Sequence, residues 1–190
     1  MHKLSIYLSG NIRKGKEEEH DLVWSDVERH YLHEALAPII PVFLSPAHRQ
    51  DDLSDQVSVF GRDLWQISSS QLVLVDARGK RGIGVGAEMM FAKMNRIAVV
   101  SWLPENSHYH RSSLQLLGQE VTNYIHPFVL NLSDYLAPTL EQAALWIKEY
   151  LEPGKVAIKG PECTQQAIDH FRGRNFQEPC FNLELERLKG

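Results

Sequence analysis

The sequence predicts an α/β fold, a Rossmann-like parallel sheet flanked by helices with a short C-terminal appendage. Strand-like runs at residues 3–8, 39–44, 72–75 and 97–100 carry the apolar character of strands buried in a sheet, most clearly Leu72-Val73-Leu74-Val75 and Ile97-Ala98-Val99-Val100. Segments with apolar residues at helical spacing lie between them, and that alternation implies a parallel sheet. At 190 residues and 43% hydrophobic content the chain fills one good core and leaves little for a second full domain.

In order, the strand at 3–8 ends at Ser9-Gly10-Asn11, and Trp24, Val27, Tyr31, Leu32 and Ala35 mark a helix over 24–37. Pro38 and Pro41 bracket the strand at 39–44, and the polar stretch 45–54 reads as a loop able to form a lid. A helix over 57–68, with Val59, Phe60, Leu64 and Ile67 on one side, feeds the strand at 72–75. The next helix starts near Val85 and leads to the strand at 97–100. A long polar loop through Ser112, a helix over 113–121 and a short strand at 128–130 follow. Leu140, Ala143, Ala144, Ile147 and Leu151 give a strongly amphipathic helix over 139–151. Past Glu152-Pro153-Gly154 the composition changes, with a helix expected only at 164–171, so the division is a domain at 1–152 and an extension at 153–190.

A formal charge of −4 gives no extended positive field, which argues against gripping polymeric nucleic acid and leaves room for a single nucleotide. No apolar segment has the length of a membrane span, and the expected location is the cytoplasm. Cys163 and Cys180 are too few for a disulfide framework, and the nine histidines lack ligand spacing, so no metal site is expected.

Chemistry concentrates in two loops that a parallel sheet delivers to its carboxyl edge, where open α/β folds bind ligands. Gly82-Ile83-Gly84-Val85-Gly86-Ala87-Glu88 follows the central strand and places one carboxylate just beyond closely approachable backbone. Glu88 is the candidate nucleophile; the plainer reading is a helix-start carboxylate complementing the dipole. Ser9-Gly10-Asn11-Ile12-Arg13 offers a hydroxyl, backbone amides and a guanidinium, together an anion cradle. Asp63 and Asp76 are placed to approach Glu88, and grouped carboxylates raise one another's pKa and divide nucleophile from acid. Asp76 reads equally as a turn residue. Tyr7 suits orienting a carboxylate or contacting a sugar, or packing as a core tyrosine.

Taken together, Ile6-Tyr7-Leu8-Ser9-Gly10-Asn11-Ile12-Arg13, Arg62-Asp63-Leu64-Trp65, Leu72 to Asp76 and Gly84-Val85-Gly86-Ala87-Glu88 resemble the nucleoside 2-deoxyribosyltransferase superfamily. The loop at 10–13 and the turn at 84–88 are most similar to its 2'-deoxynucleoside 5'-monophosphate N-glycosidase branch. The resemblance spans about residues 3 to 130. It implies cleavage or transfer at an N-glycosidic bond through a covalent glycosyl intermediate on Glu88, with Asp63 as acid or sugar-orienting group and Tyr7 beside them. It also implies Ser9 to Arg13 near a 5'-phosphate and a homodimer in which Ser112 or Ser113 reaches across; Asp76, Gly84 and Gly86, by their place at the sheet edge, are expected to line the substrate. Gln71 and Met90 depart from the family pattern, Met90 implying a wider helix–sheet spacing or a different pocket wall. The competing reading from another class is a nucleotide-binding or sensing domain that uses the same cleft without turnover.

Overall fold

The computed structural model describes residues 2–11, 24–175 and 187–188 of the chain. Five strands form one all-parallel sheet in the order β2-β1-β3-β4-β7. They are β1 (Lys3–Ser9), β2 (Ile40–Leu44), β3 (Leu72–Asp76), β4 (Ala98–Trp102) and β7 (Tyr135–Ala137). A two-stranded antiparallel ribbon, β5 (His110–Leu116) with β6 (Gln119–Ile125), lies outside that sheet. The expected α/β class and parallel sheet are what the structure has.

Strand alternation sends the two sheet faces into two cores. Leu4, Ile6, Leu8, Leu72, Leu74 and Val100 pack against α1 (Asp26–Ala35) and α5 (Leu140–Tyr150). Tyr7, Val73, Val75 and Val99 pack against α2 (Gln56–Ser68), α3 (Ile83–Met94) and α4 (Pro127–Leu132). Ser25 starts α1 with a complete capping box to Glu28, and Thr139 caps α5 through the amide of Gln142.

The chain divides into two compact units, Met1–Gly160 and Pro161–Gly190. Within the second, α6 (Glu162–Asn175) begins two residues before the expected helix and runs past it.

Three expected elements differ. The helix expected over 113–121 is the β5–β6 hairpin: Leu117 and Gly118 both have positive φ, 50° and 80°, the geometry of a two-residue turn whose twist suits paired strands. The strand expected at 128–130 is α4, where Pro127 opens the helix with its φ already set and no amide to satisfy. The edge strand β7 was not expected, being three residues long. On α2, Ile67 is buried as expected but Phe60 is exposed, because burial sets in only in the C-terminal half of that helix.

Strand order reverses between β2-β1 and β3-β4, which opens a crevice beyond the carboxyl ends of β1 and β3. Ser9 ends β1 and Asp76 ends β3, and both side chains are buried there.

Candidate functional site

Helix α3 starts at Ile83 with Gly82 as its N-cap, two residues earlier than the glycine pattern suggests. Gly84 and Gly86 are therefore helical, and Glu88 falls in the second turn. The first turn holds no acidic residue, and dipole complementation fades beyond it. Gly84 lies one turn before Glu88 on the same face, where a β-carbon would stand 3.9 Å from Glu88 Oε1. A longer side chain there would lie over the carboxylate, so the glycine keeps that oxygen approachable.

Two hydroxyls from one strand hold Glu88. Tyr7 and Ser9 are two residues apart on β1 and project to the same face. Tyr7 Oη donates to Oε1 at 3.1 Å and Ser9 Oγ donates to Oε2 at 2.5 Å. Both donors are fully buried. Burial pushes the Glu88 carboxyl above the ordinary glutamate range, and the two hydroxyls and the nearby Asp63 modulate that shift. Tyr7 is pushed up too, first by burial and then by the charges of Glu88 and Asp63, so it stays a neutral donor.

Asp63, on α2, is half-buried and flanked by Arg49 Nη1 and Arg62 Nη1, each 3.8 Å from its Oδ1. Burial raises its pKa against the pull of the two arginines. Asp63 Oδ1 and Arg62 Nη1 are buried and have no hydrogen-bond partner, although they face each other. Arg49 is itself held in a two-pronged pair by Asp51, at 3.0 and 2.6 Å, which lowers the Asp51 carboxyl to about 2. Arg62 also donates to the carbonyl of His48 at 2.6 Å. The stretch between β2 and α2 is thus pinned beside Asp63 by charge, the part of the site least visible in sequence. A polar loop signals no geometry, and only the ion pairs distinguish Arg49 and Asp51 from solvated residues.

Asp76 is fully buried as the hub of the loop after β3. It receives Arg78 on both oxygens, each at 2.9 Å, and pairs with Arg81 Nη2 at 2.7 Å. Arg78 continues to Glu28 at 2.6 Å and stacks 3.8 Å over the ring of Trp102. Arg78 and Arg81 therefore fold the basic loop onto Asp76. At Gly10 a β-carbon would come within 3.3 Å of Trp24, whose indole N–H donates to the carbonyl of Ser9 at 3.0 Å. Asn11 follows, half-buried; Ile12, Arg13 and Cys180 lie outside the described residues.

Ser112 and Ser113 sit on the exposed β5–β6 ribbon, where Ser113 Oγ donates across to Glu120 at 2.7 Å. No hydrogen bond or ion pair links them to Glu88 among the described residues. A second cleft of about 390 Å³ lies along α3, lined by Ile83, Gly86, Ala87, Met90, Tyr109 and His126 among others, and Glu88 is not part of its wall. Met90 lines this cleft and not the surroundings of Glu88. Among the described residues no group of three or more His, Cys, Asp or Glu side chains is arranged to hold a metal ion, and no helix is long and apolar enough to cross a membrane.

No family model matches the chain, and no curated protein matches it. Solved structures do. A 2-deoxyribosyltransferase from Leishmania mexicana superposes with a TM-score of 0.53 at 16% identity, over 78% of this chain and 99% of that one. A 2-deoxyribosyltransferase from Bacillus psychrosaccharolyticus gives 0.46 at 14% identity, over 82% and 98%. The first of these likenesses shows that the chain has the fold of such a protein.

Proposed function

We propose that the chain cleaves or transfers at the N-glycosidic bond of a (deoxy)nucleoside or its 5'-monophosphate, with Glu88 as nucleophile. One observation carries the reading: a partly buried carboxylate gripped by two hydroxyls and set beside Gly84 at the switch point of the sheet. A carboxylate so held has the position and restraint that covalent catalysis asks of it. The fold shared with a protein named a 2-deoxyribosyltransferase supports the same reading.

The chemistry runs in two displacements at one carbon, as in retaining glycosidases. Glu88 attacks the anomeric carbon as the base departs, and Asp63, its pKa raised by burial, protonates the leaving base. Water or a second base then releases the sugar. Arg62 Nη1 and Asp63 Oδ1 each lack a hydrogen-bond partner, and a sugar hydroxyl, which both accepts and donates, has the dual capacity to satisfy the two. No step calls on a metal or organic cofactor.

The monophosphate is read from the backbone at Gly10 and Asn11 with Arg13, a forked cation suited to phosphate. Val57, Phe60 and Trp65 leave apolar side chains exposed on α2 beside Arg62, which supports a homodimer; the same reading makes the chain a cytoplasmic enzyme acting on small molecules. Chromatography of a nucleoside and nucleoside-monophosphate panel, with and without an acceptor base, tests the activity: free base should appear. A protein that binds these ligands and returns all of them intact is the binding domain instead. Arg13→Ala should weaken use of the monophosphate far more than use of the nucleoside, and equal losses would remove the phosphate assignment.

A further inference from the structure

We infer that Ser9 is a positioning residue that divides the labour of the two Glu88 oxygens, keeping Oε2 as the carbonyl oxygen of the glycosyl ester while Oε1 makes and breaks the bond to sugar; this rests on the nucleophile reading above. The two oxygens are not equivalent. Oε1 lies beside Gly84 and accepts from Tyr7 at 3.1 Å, whereas Oε2 accepts the shorter bond, 2.5 Å, from Ser9, whose side chain is fully buried at the end of a central strand. Ser9 cannot drift. Its main chain pairs with Val75 in the sheet, and its carbonyl is held by the indole of Trp24, which sits against Gly10.

The consequence follows from where charge resides. In the first step an electron pair on Oε1 forms the bond to the anomeric carbon, the carbon–nitrogen bond breaks, and its pair leaves with the base, which takes the Asp63 proton. Glu88 is now a neutral ester with Oε2 as carbonyl oxygen. In the second step water or another base attacks the same carbon, the bond to Oε1 breaks, its pair restores the carboxylate, and the attacking group's proton passes to Asp63. The Ser9 hydrogen bond is charge-assisted to a carboxylate and ordinary to an ester, so it strengthens as the second step proceeds. Ser9 thereby favours release of the sugar and limits build-up of the covalent adduct.

Ser9→Ala should slow sugar release about tenfold to a hundredfold, the range for a hydrogen bond to a charged group, while the initial burst of base persists. The acid-quenched protein should then carry more adduct by mass spectrometry, and Ser9→Thr, which keeps the hydroxyl, should restore wild-type partition. Equal loss of burst and steady state with no extra adduct would overturn the assignment. A readout without turnover separates this from failure of the glycosyl-transfer reading: carboxyl carbon NMR of ligand-free protein should show Glu88 titrating at higher pH in Ser9→Ala than in wild type or Ser9→Thr. An unchanged midpoint overturns the role of Ser9 whether or not the protein releases base. A wild type that releases no base from any nucleoside or nucleotide overturns it as well.

Discussion

At Glu88 burial and hydrogen bonding pull in opposite directions, and burial dominates, leaving the carboxyl with a raised pKa. The sign of the stability effect follows. Between the ordinary glutamate value of 4.5 and the raised folded value, the native state holds a proton that the unfolded chain has lost, so stability falls as pH rises through that window. Glu88→Gln should match wild type in melting temperature at pH below 4.5 and exceed it near neutrality. A variant less stable than wild type at every pH would mean that the carboxylate is structural. The same shift moves the acid limb of the rate profile above the range of an unperturbed carboxylate, since attack needs Glu88 ionised. At Asp63 the expectation is different: Asp63→Asn should slow base release by about 10²–10⁴-fold, the usual range for a lost general acid, with the smallest effect on substrates whose base leaves readily. Stopped assays across a series of leaving bases check it, and a loss independent of the base would assign Asp63 to the sugar alone. As candidates, Glu88 was legible from the glycine pattern before it, Tyr7 from its place near the end of the first strand, and Asp63 from the helix that feeds the central strand together with the family resemblance. The partnership of Ser9 with Glu88 was not, because it depends on a strand pair and a helix meeting across 79 positions of sequence.

Among the elements, α3 carries Glu88 midway along its length and a buried ion pair near its C-terminal end. Lys93 Nζ meets Asp134 Oδ2 at 2.5 Å with both side chains out of water, and Asp134 also accepts from the amides of Val99 and Lys159 at 2.7 Å each. The pair ties α3, β4, the turn before β7 and the segment after α5 together. Asp134→Ala should destabilise by about 3–5 kcal/mol, the range for stranding one member of a buried pair, as read by urea unfolding. The β5–β6 turn makes a gentler prediction. Leu117 is fully exposed at φ 50°, so Leu117→Asn loses no burial and gains a residue suited to that conformation, adding up to about 1 kcal/mol of stability. A thermal melt that falls would show that Leu117 has a contact beyond its own chain. That hairpin escaped the sequence reading because its turn carries Leu where Asn or Gly is usual, and because Leu114, Leu117 and Val121 imitate a helical stripe. α4 escaped it as a short apolar run, which periodicity cannot assign.

For the molecule as a whole, the parallel sheet was readable because β3 and β4 are buried on both faces and their sequences have no alternative use. The placement of the site follows from topology: reversing the strand order between β1 and β3 brings Ser9, Asp76 and the start of α3 to one crevice, and no local pattern contains that fact. Assembly is a property of the same scale. Sedimentation at micromolar concentration should give a dimer, and Phe60→Glu, which puts a charge on the exposed stripe of α2, should return it to monomer. The central claim is that Glu88 bonds covalently to sugar. Its most direct test is to mix the protein with a 2'-deoxynucleoside 5'-monophosphate and the matching nucleoside, quench in acid, and map the modified peptide by mass spectrometry alongside free-base release. Released base and a sugar adduct on Glu88 are expected, both lost in Glu88→Ala while nucleotide binding remains. Base release at wild-type rate by Glu88→Ala, or an adduct carried by another residue, would contradict it.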